Sequence, residues 1–295
     1  MHSRVLVVQR LYGLTRAFSV CADWIDGGEQ LPQHHAAVTI VSYAHRHAPG
    51  FETRPRRTAL IDIRGRTAEA VFGSFNAQTR NKIHRTEHDG DLDFVRNDGD
   101  RSGNHDLYTT SCLSRGHLPD PPAGFAGCRW FSAYFRGRLI ANLSCFHLND
   151  ILRVKTISSI RLQVQTAEPA LYQLISCASR RVVFEACRYA LDHDCLVVDL
   201  CGINDKHRGI ATFKRGFGAR LVDEYDYVYL SRSYRLALAL ASIVPRFRLA
   251  ARYVMRGSRW LLYLASTHSG GQVQQLPEHS MPPNQTSHTG VHSPR

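Results

Sequence analysis

A strand that is apolar on both sides, with helices before and after it, is the feature that most limits how this chain can fold. Residues 195–200 are apolar except for Asp199, a pattern typical of a strand buried on both faces. Before it, apolar residues at spacings of three and four indicate a helix that begins at Pro169. A turn, a helix over residues 210–215 and a strand over residues 221–230 follow. This order predicts an α/β fold with a mixed sheet.

The middle of the chain adds antiparallel strands to this sheet. Residues 128–135 and 139–148 alternate apolar and polar side chains, and the tight turn at residues 136–138 predicts a β-hairpin between them. Residues 151–157 continue the sheet, and residues 68–88 predict one or two helices. We therefore expect a mixed, mostly antiparallel central sheet flanked by helices. The inward positions of the early helices are Phe72, Phe75, Thr79 and Ile83.

The chain divides by composition into four segments. Short strand-like runs between polar loops predict a partial N-terminal lobe over residues 1–57, followed by the α/β domain over residues 58–231. Residues 232–264 hold seven arginines and no acidic residue among apolar positions, which predicts basic amphipathic helices broken at Pro245. Such helices pack on the domain, lie on an anionic membrane surface or bind RNA. Residues 265–295 are rich in polar residues and proline and are predicted to be disordered.

The turn after the buried strand is a predicted anion-binding site. A helix that begins there presents free backbone N–H groups and a partial positive charge, which favour a phosphate or a carboxylate. Lys206, His207, Arg208 and Lys214 add positive side chains at this end of the helix. The net charge of +12 comes mostly from arginine, which binds phosphate through paired hydrogen bonds. It favours a polyanionic partner, although an Arg-rich composition without a specific role is the alternative.

The cysteines and histidines do not predict a metal site. The eight cysteines lie among apolar neighbours without C-x-x-C spacing and are interpreted as reduced, mostly buried thiols, and several histidines fall in loop-like sequence. Residues 1–10 lack the apolar stretch of a signal peptide, and the uncharged run at residues 236–245 is half the length of a membrane span. We expect a cytoplasmic protein, with attachment to the inner membrane face through residues 232–264 as an extension of this prediction.

Three segments carry a resemblance to a known family. They are Thr-Ala-Leu-Ile-Asp-Ile at residues 58–63, Thr-Arg-Asn-Lys-Ile-His-Arg-Thr-Glu at residues 79–87 and Phe-Lys-Arg-Gly-Phe-Gly at residues 213–218. Their order and spacing resemble the Fem family of peptidoglycan-bridge aminoacyltransferases, within the Gcn5-related N-acetyltransferase (GNAT) superfamily. The resemblance spans residues 58–230 and implies a GNAT-type sheet. The chain is similar to one full domain of this kind plus a degenerate N-terminal half, whereas Fem proteins resemble two tandem domains.

The resemblance implies transfer of an activated acyl or aminoacyl group to an amine, with no tightly bound cofactor. The co-substrate is aminoacyl-tRNA, as in the Fem family, or acyl-coenzyme A, as is usual in the superfamily. The acceptor is an amine on a cell-envelope, polysaccharide or antibiotic precursor. The superfamily's coenzyme-A loop is similar to the predicted cofactor-binding residues Lys206, His207, Arg208, Gly209, Ile210 and Ala211.

Two neighbouring residues favour the RNA-borne donor. Phe213 stands where coenzyme-A-dependent members commonly have a tyrosine that protonates the leaving thiolate, and phenylalanine has no proton to donate. Lys214 matches the lysine of the Fem pattern, and the resemblance implies that it contacts donor phosphate or stabilises charge at the reacting carbonyl. Together with the basic charge of the chain, this favours aminoacyl-tRNA over acyl-coenzyme A.

Direct attack by an amine requires a base but no enzyme nucleophile. Asp199 is the first candidate base because burial at the end of a strand raises a carboxyl pKa. The alternative is that Asp199 accepts hydrogen bonds from the turn's own N–H groups. Asp205 and Glu185 are further candidates, and Arg80, His84 and Tyr225 are predicted to contact substrate. The rival interpretation is a GNAT-like protein without catalysis that binds RNA or a membrane.

Overall fold

The computed structural model of this chain describes residues 5–11, 14–20, 37–45, 47, 49–117, 119–148, 150–164, 168–203 and 208–236. Side chains are described from residue 37 onward, except that of Arg208. The predicted disordered tail, the predicted basic helices beyond residue 236, and Asp205, Lys206 and His207 lie outside these residues. Residues 232–236 are helical.

A ten-stranded sheet organises the described part of the chain. Its order is β1-β2-β3-β10-β4-β9-β8-β7-β6-β5, in which β2 with β3 and β8 with β9 are the parallel pairs. The predicted mixed, mostly antiparallel α/β sheet is therefore confirmed. The strands are β1 (Val5–Leu11), β2 (Leu14–Val20), β3 (Ala37–Ser42), β4 (Glu52–Asp62), β5 (Leu92–Arg96), β6 (Cys128–Phe135), β7 (Arg138–Leu148), β8 (Ile151–Ser159), β9 (Val197–Ile203) and β10 (Arg220–Leu230).

Six α-helices connect these strands in the described residues. They are α1 (Ala68–Gly73), α2 (Ala77–Glu87), α3 (Arg101–Ser114), α4 (Arg161–Val164), α5 (Pro169–Asp192) and α6 (Arg208–Arg215), with a 3₁₀ helix at Pro122–Phe125. Residues 68–88, predicted to form one or two helices, form two. Asn76 separates them, because its side chain accepts a 2.8 Å hydrogen bond from the N–H of Thr79 and caps α2.

The two faces of the sheet carry different helices. On β6, Phe131 and Ala133 point into the main core, which α1, α2 and α5 cover, whereas Cys128 and Trp130 point toward α3 on the opposite face. This alternation follows from the two-residue period of a strand. The main core also holds Ile83, Phe75, Phe217, Ile175 and Val198.

Two strands differ from the sequence prediction. The strand predicted at residues 58–63 begins six residues earlier, at Glu52. The prediction missed its first half because those side chains are exposed and polar, although the backbone there pairs with β10. The buried strand extends past its predicted end at Leu200, through Gly202 to Ile203. The apolar run that predicted the strand over residues 195–200 does not continue through these residues. Strand β3, from the predicted N-terminal lobe, pairs with β10 in the same sheet as the α/β domain.

Most of the described cysteine thiols are buried, as the sequence predicts. Among the described cysteines, Cys128, Cys145, Cys177, Cys187 and Cys195 are buried, and Cys112 and Cys201 are half-buried. Over the described ranges, no helix has the length and apolarity that crossing a bilayer requires.

Candidate functional site

The parallel strands β8 and β9 separate after three residue pairs. Pairing runs from Ile151 with Val197 to Arg153 with Asp199 and ends there. Beyond this point β8 pairs with β7, and β9 pairs with β4. An opening between the carboxyl ends of neighbouring parallel strands leaves backbone groups of both strands available to a ligand, so it is the first place to look for a site.

A β-bulge shapes the opening on the β9 side. Leu60 pairs with Asp199 and Thr58 with Gly202, so two residues of β9, Leu200 and Cys201, lie opposite one residue of β4. Cys201 has φ +66°, in the left-handed region that non-glycine residues rarely adopt. Its N–H donates a 2.7 Å hydrogen bond to Oδ1 of Asp199. This bond is the alternative role foreseen for Asp199, and it holds the bulge in place.

Asp199 lies directly before the bulge and is fully buried. Its carboxylate accepts from Thr58 Oγ1 at 2.5 Å, from Tyr43 OH at 2.6 Å and from Arg153 as well as from Cys201. Four donors occupy the acceptor positions of one carboxylate. The role of Asp199 as a base stays a prediction, and direct contact with a substrate amine requires one of these partners to leave.

Arg153 joins Asp199 to a second buried carboxylate. Arg153 is 4% exposed and forms an ion pair with Glu224 at 2.8 Å in addition to that with Asp199. Burial alone lowers the pKa of Arg153, but Asp199 and Glu224 more than reverse this and raise it above its ordinary value. Burial and the charge of Asp199 also raise the pKa of Tyr43, so Tyr43 stays protonated as a donor. These charges form a closed network behind the opening.

Lys214 reaches the bulge from α6. It is 8% exposed, and its Nζ donates to the carbonyl oxygens of Cys201 at 3.0 Å and Gly202 at 2.7 Å. Burial lowers the pKa of Lys214 from its ordinary value, while Asp199 is near enough to oppose this shift. The structure therefore brings together the two predicted catalytic residues, Lys214 and Asp199, at one bulge.

The predicted cofactor-binding residues are only partly described. Arg208 begins α6, and Gly209 and Ile210 in its first turn are exposed, whereas Ala211 is buried. Phe213 packs against Phe217 with ring centroids 5.1 Å apart. Because Lys206 and His207 are outside the described residues, anion binding at this turn stays a prediction.

The predicted substrate contacts lie in separate places. Arg80 donates to the carbonyls of Gly73 and Phe75 and so caps the end of α1. His84 bonds Glu87 at 2.8 Å and lines a 280 Å³ cavity between α1, α2 and α5. Tyr225 lies on β10, with its ring centroid 4.7 Å from that of His45. Their contact with substrate stays a prediction.

Glu185, a further candidate base, lies on α5 and is ion-paired. Arg96 and Arg181 both donate to its carboxylate, at 2.6 and 2.7 Å. Among the described residues, no group of three or more histidine, cysteine or acidic side chains is arranged to hold a metal ion.

Sequence reasoning missed four members of the site: Tyr43, Thr58, Arg153 and Glu224. One signal was available, since Arg153 interrupts the apolar run of β8 between Leu152 and Val154 as Asp199 interrupts that of β9. A charge in each of two buried strands predicts that the two charges meet. Tyr43 and Thr58 carry no such signal.

The glycines of the Phe-Lys-Arg-Gly-Phe-Gly segment allow α6 to approach the junction of α1 and α2. The N–H of Asn76 donates to the carbonyl of Gly216 at 2.9 Å. A Cβ on Gly218 would lie 2.5 Å from the backbone oxygen of Ser74. The contact positions α6, and hence Lys214, against the core.

Gly218→Ala is expected to lower the free energy of unfolding by about 2–4 kcal/mol, because it combines backbone strain at φ +66° with this collision. Gly65→Ala is the matched control, since Gly65 has φ +62° but no atom within 4 Å of an added Cβ. We expect about 1 kcal/mol for the control. Urea denaturation of both variants measures the difference, and equal losses would show that the Ser74 contact is unimportant.

Comparison with known proteins identifies the fold. No family model and no curated protein matches the sequence. Among solved structures, FemX is similar with 12% identity and a TM-score of 0.53, covering 80% of this chain and 87% of FemX. Also similar are a domain described as the C-terminal part of a lysylphosphatidylglycerol synthetase from Agrobacterium fabrum (13% identity, 82% and 87% covered, TM-score 0.48) and a GNAT-family acetyltransferase from Novosphingobium aromaticivorans (11%, 76% and 92%, 0.43). The likeness to FemX shows a GNAT-type, Fem-like fold.

Proposed function

We propose that the protein is a transferase that moves an activated acyl or aminoacyl group directly to an amine. The observation that carries this proposal is a buried lysine, Lys214, at the bulge where β8 and β9 separate. A cation in a desolvated position next to an open strand edge suits a reaction that develops negative charge on a carbonyl oxygen. The GNAT-type fold agrees with this chemistry.

The reaction needs positioning and charge stabilisation rather than an enzyme nucleophile. The amine nitrogen attacks the donor carbonyl, a C–N bond forms, and the C–O or C–S bond to the carrier breaks. The amine loses a proton to a base, and the leaving oxygen or sulfur gains one. In this proposal Lys214 stabilises the oxyanion, and backbone groups of the separated strands orient the donor.

A base role for Asp199 requires a relay in this geometry. Asp199 is closed off, whereas Tyr43 is half-buried and donates to it at 2.6 Å. An amine proton moving to Tyr43 oxygen while the Tyr43 proton moves to Asp199 would use the observed hydrogen bond. This relay is part of the proposal.

Aminoacyl-tRNA is the favoured donor, and acyl-coenzyme A is the alternative. The aromatic ring of Phe213 packs with Phe217 and offers no hydroxyl to a leaving thiolate. The positive charge of the chain favours an RNA donor. The proposed acceptor is an amine on a cell-envelope or polysaccharide precursor, and attachment to an anionic membrane surface through residues 232–264 belongs to the same proposal.

Donor binding and turnover test the proposal. We expect uncharged and aminoacylated tRNA to bind with an affinity that falls steeply between low and high salt, and coenzyme A to bind weakly. Aminoacylated tRNA with amine acceptors should then give turnover. Micromolar binding of coenzyme A with turnover of acyl-coenzyme A would show that acyl-coenzyme A is the donor, and the proposed transferase activity would stand.

A non-catalytic RNA- or membrane-binding protein is the second candidate. The four donors that occupy Asp199 and the phenylalanine at position 213 favour it. Salt-dependent tRNA or vesicle binding without turnover of any donor would support this candidate against the transferase.

A further inference from the structure

Two cationic side chains, one from α2 and one from α5, converge on a single buried serine, and two arginines lie within electrostatic range of them. Lys82 Nζ and an Arg180 guanidinium nitrogen donate to the same atom, Oγ of the buried Ser176, at 2.8 and 3.0 Å. Arg85 and Arg161 are near enough to act on Lys82 electrostatically. Lys82 and Arg180 are half-buried, whereas Arg85 and Arg161 are exposed at the rim. We call these four residues the α2–α5 cationic cluster.

The cluster has no counter-charge of its own. In the described part of the chain, none of the four side chains forms an ion pair with a carboxylate within 4.0 Å. The neighbouring Arg181 differs, because it pairs with both Glu185 and Glu87. Like charges that share one acceptor repel each other, so the arrangement raises the energy of the folded protein unless an anion neutralises it.

Burial increases the free-energy cost of leaving the cationic cluster without an anion. Burial, and then repulsion by Arg180, lowers the pKa of Lys82. Burial and the charge of Arg161 lower the pKa of Arg180. The Nε of Arg180 is buried and has no hydrogen-bond partner in the described residues. A buried donor without a partner carries a free-energy cost that a bound acceptor would remove.

We propose that the α2–α5 cationic cluster is a phosphate-binding site. Tetrahedral oxyanions accept several charge-assisted hydrogen bonds at once, which matches a base of two half-buried cations and a rim of two arginines. Arg161 is held for this role by Tyr172, whose hydroxyl accepts from it at 2.7 Å.

This site is connected to the candidate active site through α6. The Arg180 guanidinium carbon lies 5.2 Å from the ring centroid of Phe213, and the next residue, Lys214, contacts the bulge. Resting on the proposed transferase function, we assign the bound phosphate to the donor. Coenzyme A and tRNA both supply this chemistry, as a diphosphate and as phosphodiesters.

Inorganic pyrophosphate tests the site without any need for turnover. We expect pyrophosphate to raise the melting temperature of the full chain in a saturable manner. Lys82→Gln and Arg180→Gln should each weaken binding about tenfold, since each removes a charge-assisted hydrogen bond. The double variant should weaken it further, and without pyrophosphate its melting temperature should not fall, because the repulsion is relieved.

Arg101→Gln is the control for the single variants. Arg101 is exposed in the first turn of α3, which packs on the opposite face of the sheet from α5, and the change removes the same charge as Lys82→Gln or Arg180→Gln. Its pyrophosphate affinity should stay within about twofold of wild type, as expected for an exposed surface charge outside the cluster. An equal loss in Arg101→Gln and in the single cluster variants, or no saturable binding in wild type, would overturn the site.

Donor binding to the same variants separates the two sources of phosphate. A loss of coenzyme A affinity in Lys82→Gln/Arg180→Gln assigns the site to coenzyme A, whereas a weaker and less salt-dependent tRNA affinity assigns it to RNA. If pyrophosphate binding is lost but neither donor's affinity changes, the assignment to the donor is overturned. Because pyrophosphate binding is read without catalysis, absence of turnover would count against the proposed function and not against this site.

Discussion

Replacing Lys214 with methionine is expected to lower the rate of acyl transfer by about 100-fold or more, the loss typical when a donor to a developing oxyanion is removed. Methionine keeps much of the length of the side chain and removes its charge. The carbonyls of Cys201 and Gly202 lose a donor, so we also expect a loss of about 1–3 kcal/mol in stability. Single-turnover rates with saturating donor, at a temperature where the variant is folded, measure the catalytic effect.

Lys155→Met is the control for Lys214→Met, since Lys155 is a half-buried lysine that does not contact the bulge. Lys155 bonds Asp120 at 3.0 Å and lies over the ring of Phe125, on the face of the sheet that α3 covers. It should cost stability and leave the transfer rate of the folded protein unchanged. A Lys214→Met variant whose rate per folded molecule equals that of wild type would show that Lys214 only supports the bulge.

Replacing Arg153 with methionine is expected to lower the free energy of unfolding by about 3–5 kcal/mol, the range for breaking a buried ion pair from one side. The change leaves two fully buried carboxylates, Asp199 and Glu224, without their cation. The Oε1 and Oε2 atoms of Glu224 accept no hydrogen bond from the described residues. A second cation, Arg56, lies 3.9 Å from Oε1 but is exposed, so it offsets this charge only in part. Urea denaturation monitored by circular dichroism measures the loss.

Two further variants show whether the unpaired charges are the cause. Adding Asp199→Asn and Glu224→Gln to Arg153→Met removes both orphan charges and should recover part of the stability. Arg54→Met breaks the exposed pair with Glu52 on β4 and should cost about 0–1 kcal/mol. If Arg153→Met costs no more than Arg54→Met, the buried network does not stabilise the fold.

Local patterns predicted much of the fold. The helix from Pro169, the hairpin of β6 and β7 and the helical structure of residues 68–88 all follow from periods of 3.6 and 2 and from turn chemistry. The first half of β4 was missed because its side chains are exposed and polar, and strand pairing with β10 rather than side-chain burial holds it. Strand β2, which forms a hairpin with β1, was also not predicted.

The amino-acid sequence by itself determined that Asp199 is a charge in a buried strand and that Lys214 follows on a short basic helix, because both facts depend on neighbours in the chain. Only the tertiary structure decided what meets them. Tyr43 follows the end of β3, whereas Thr58, Arg153 and Glu224 lie on β4, β8 and β10, respectively. Sheet order rather than sequence distance brings these four residues together around Asp199. The α2–α5 cationic cluster has the same origin, since Lys82 and Arg180 are 98 residues apart and meet at Ser176 only when α2 packs on α5. Charge compensation is a property of three-dimensional proximity: a local pattern marks a buried charge, as at Asp199 and Arg153, but it does not specify every group that meets this charge.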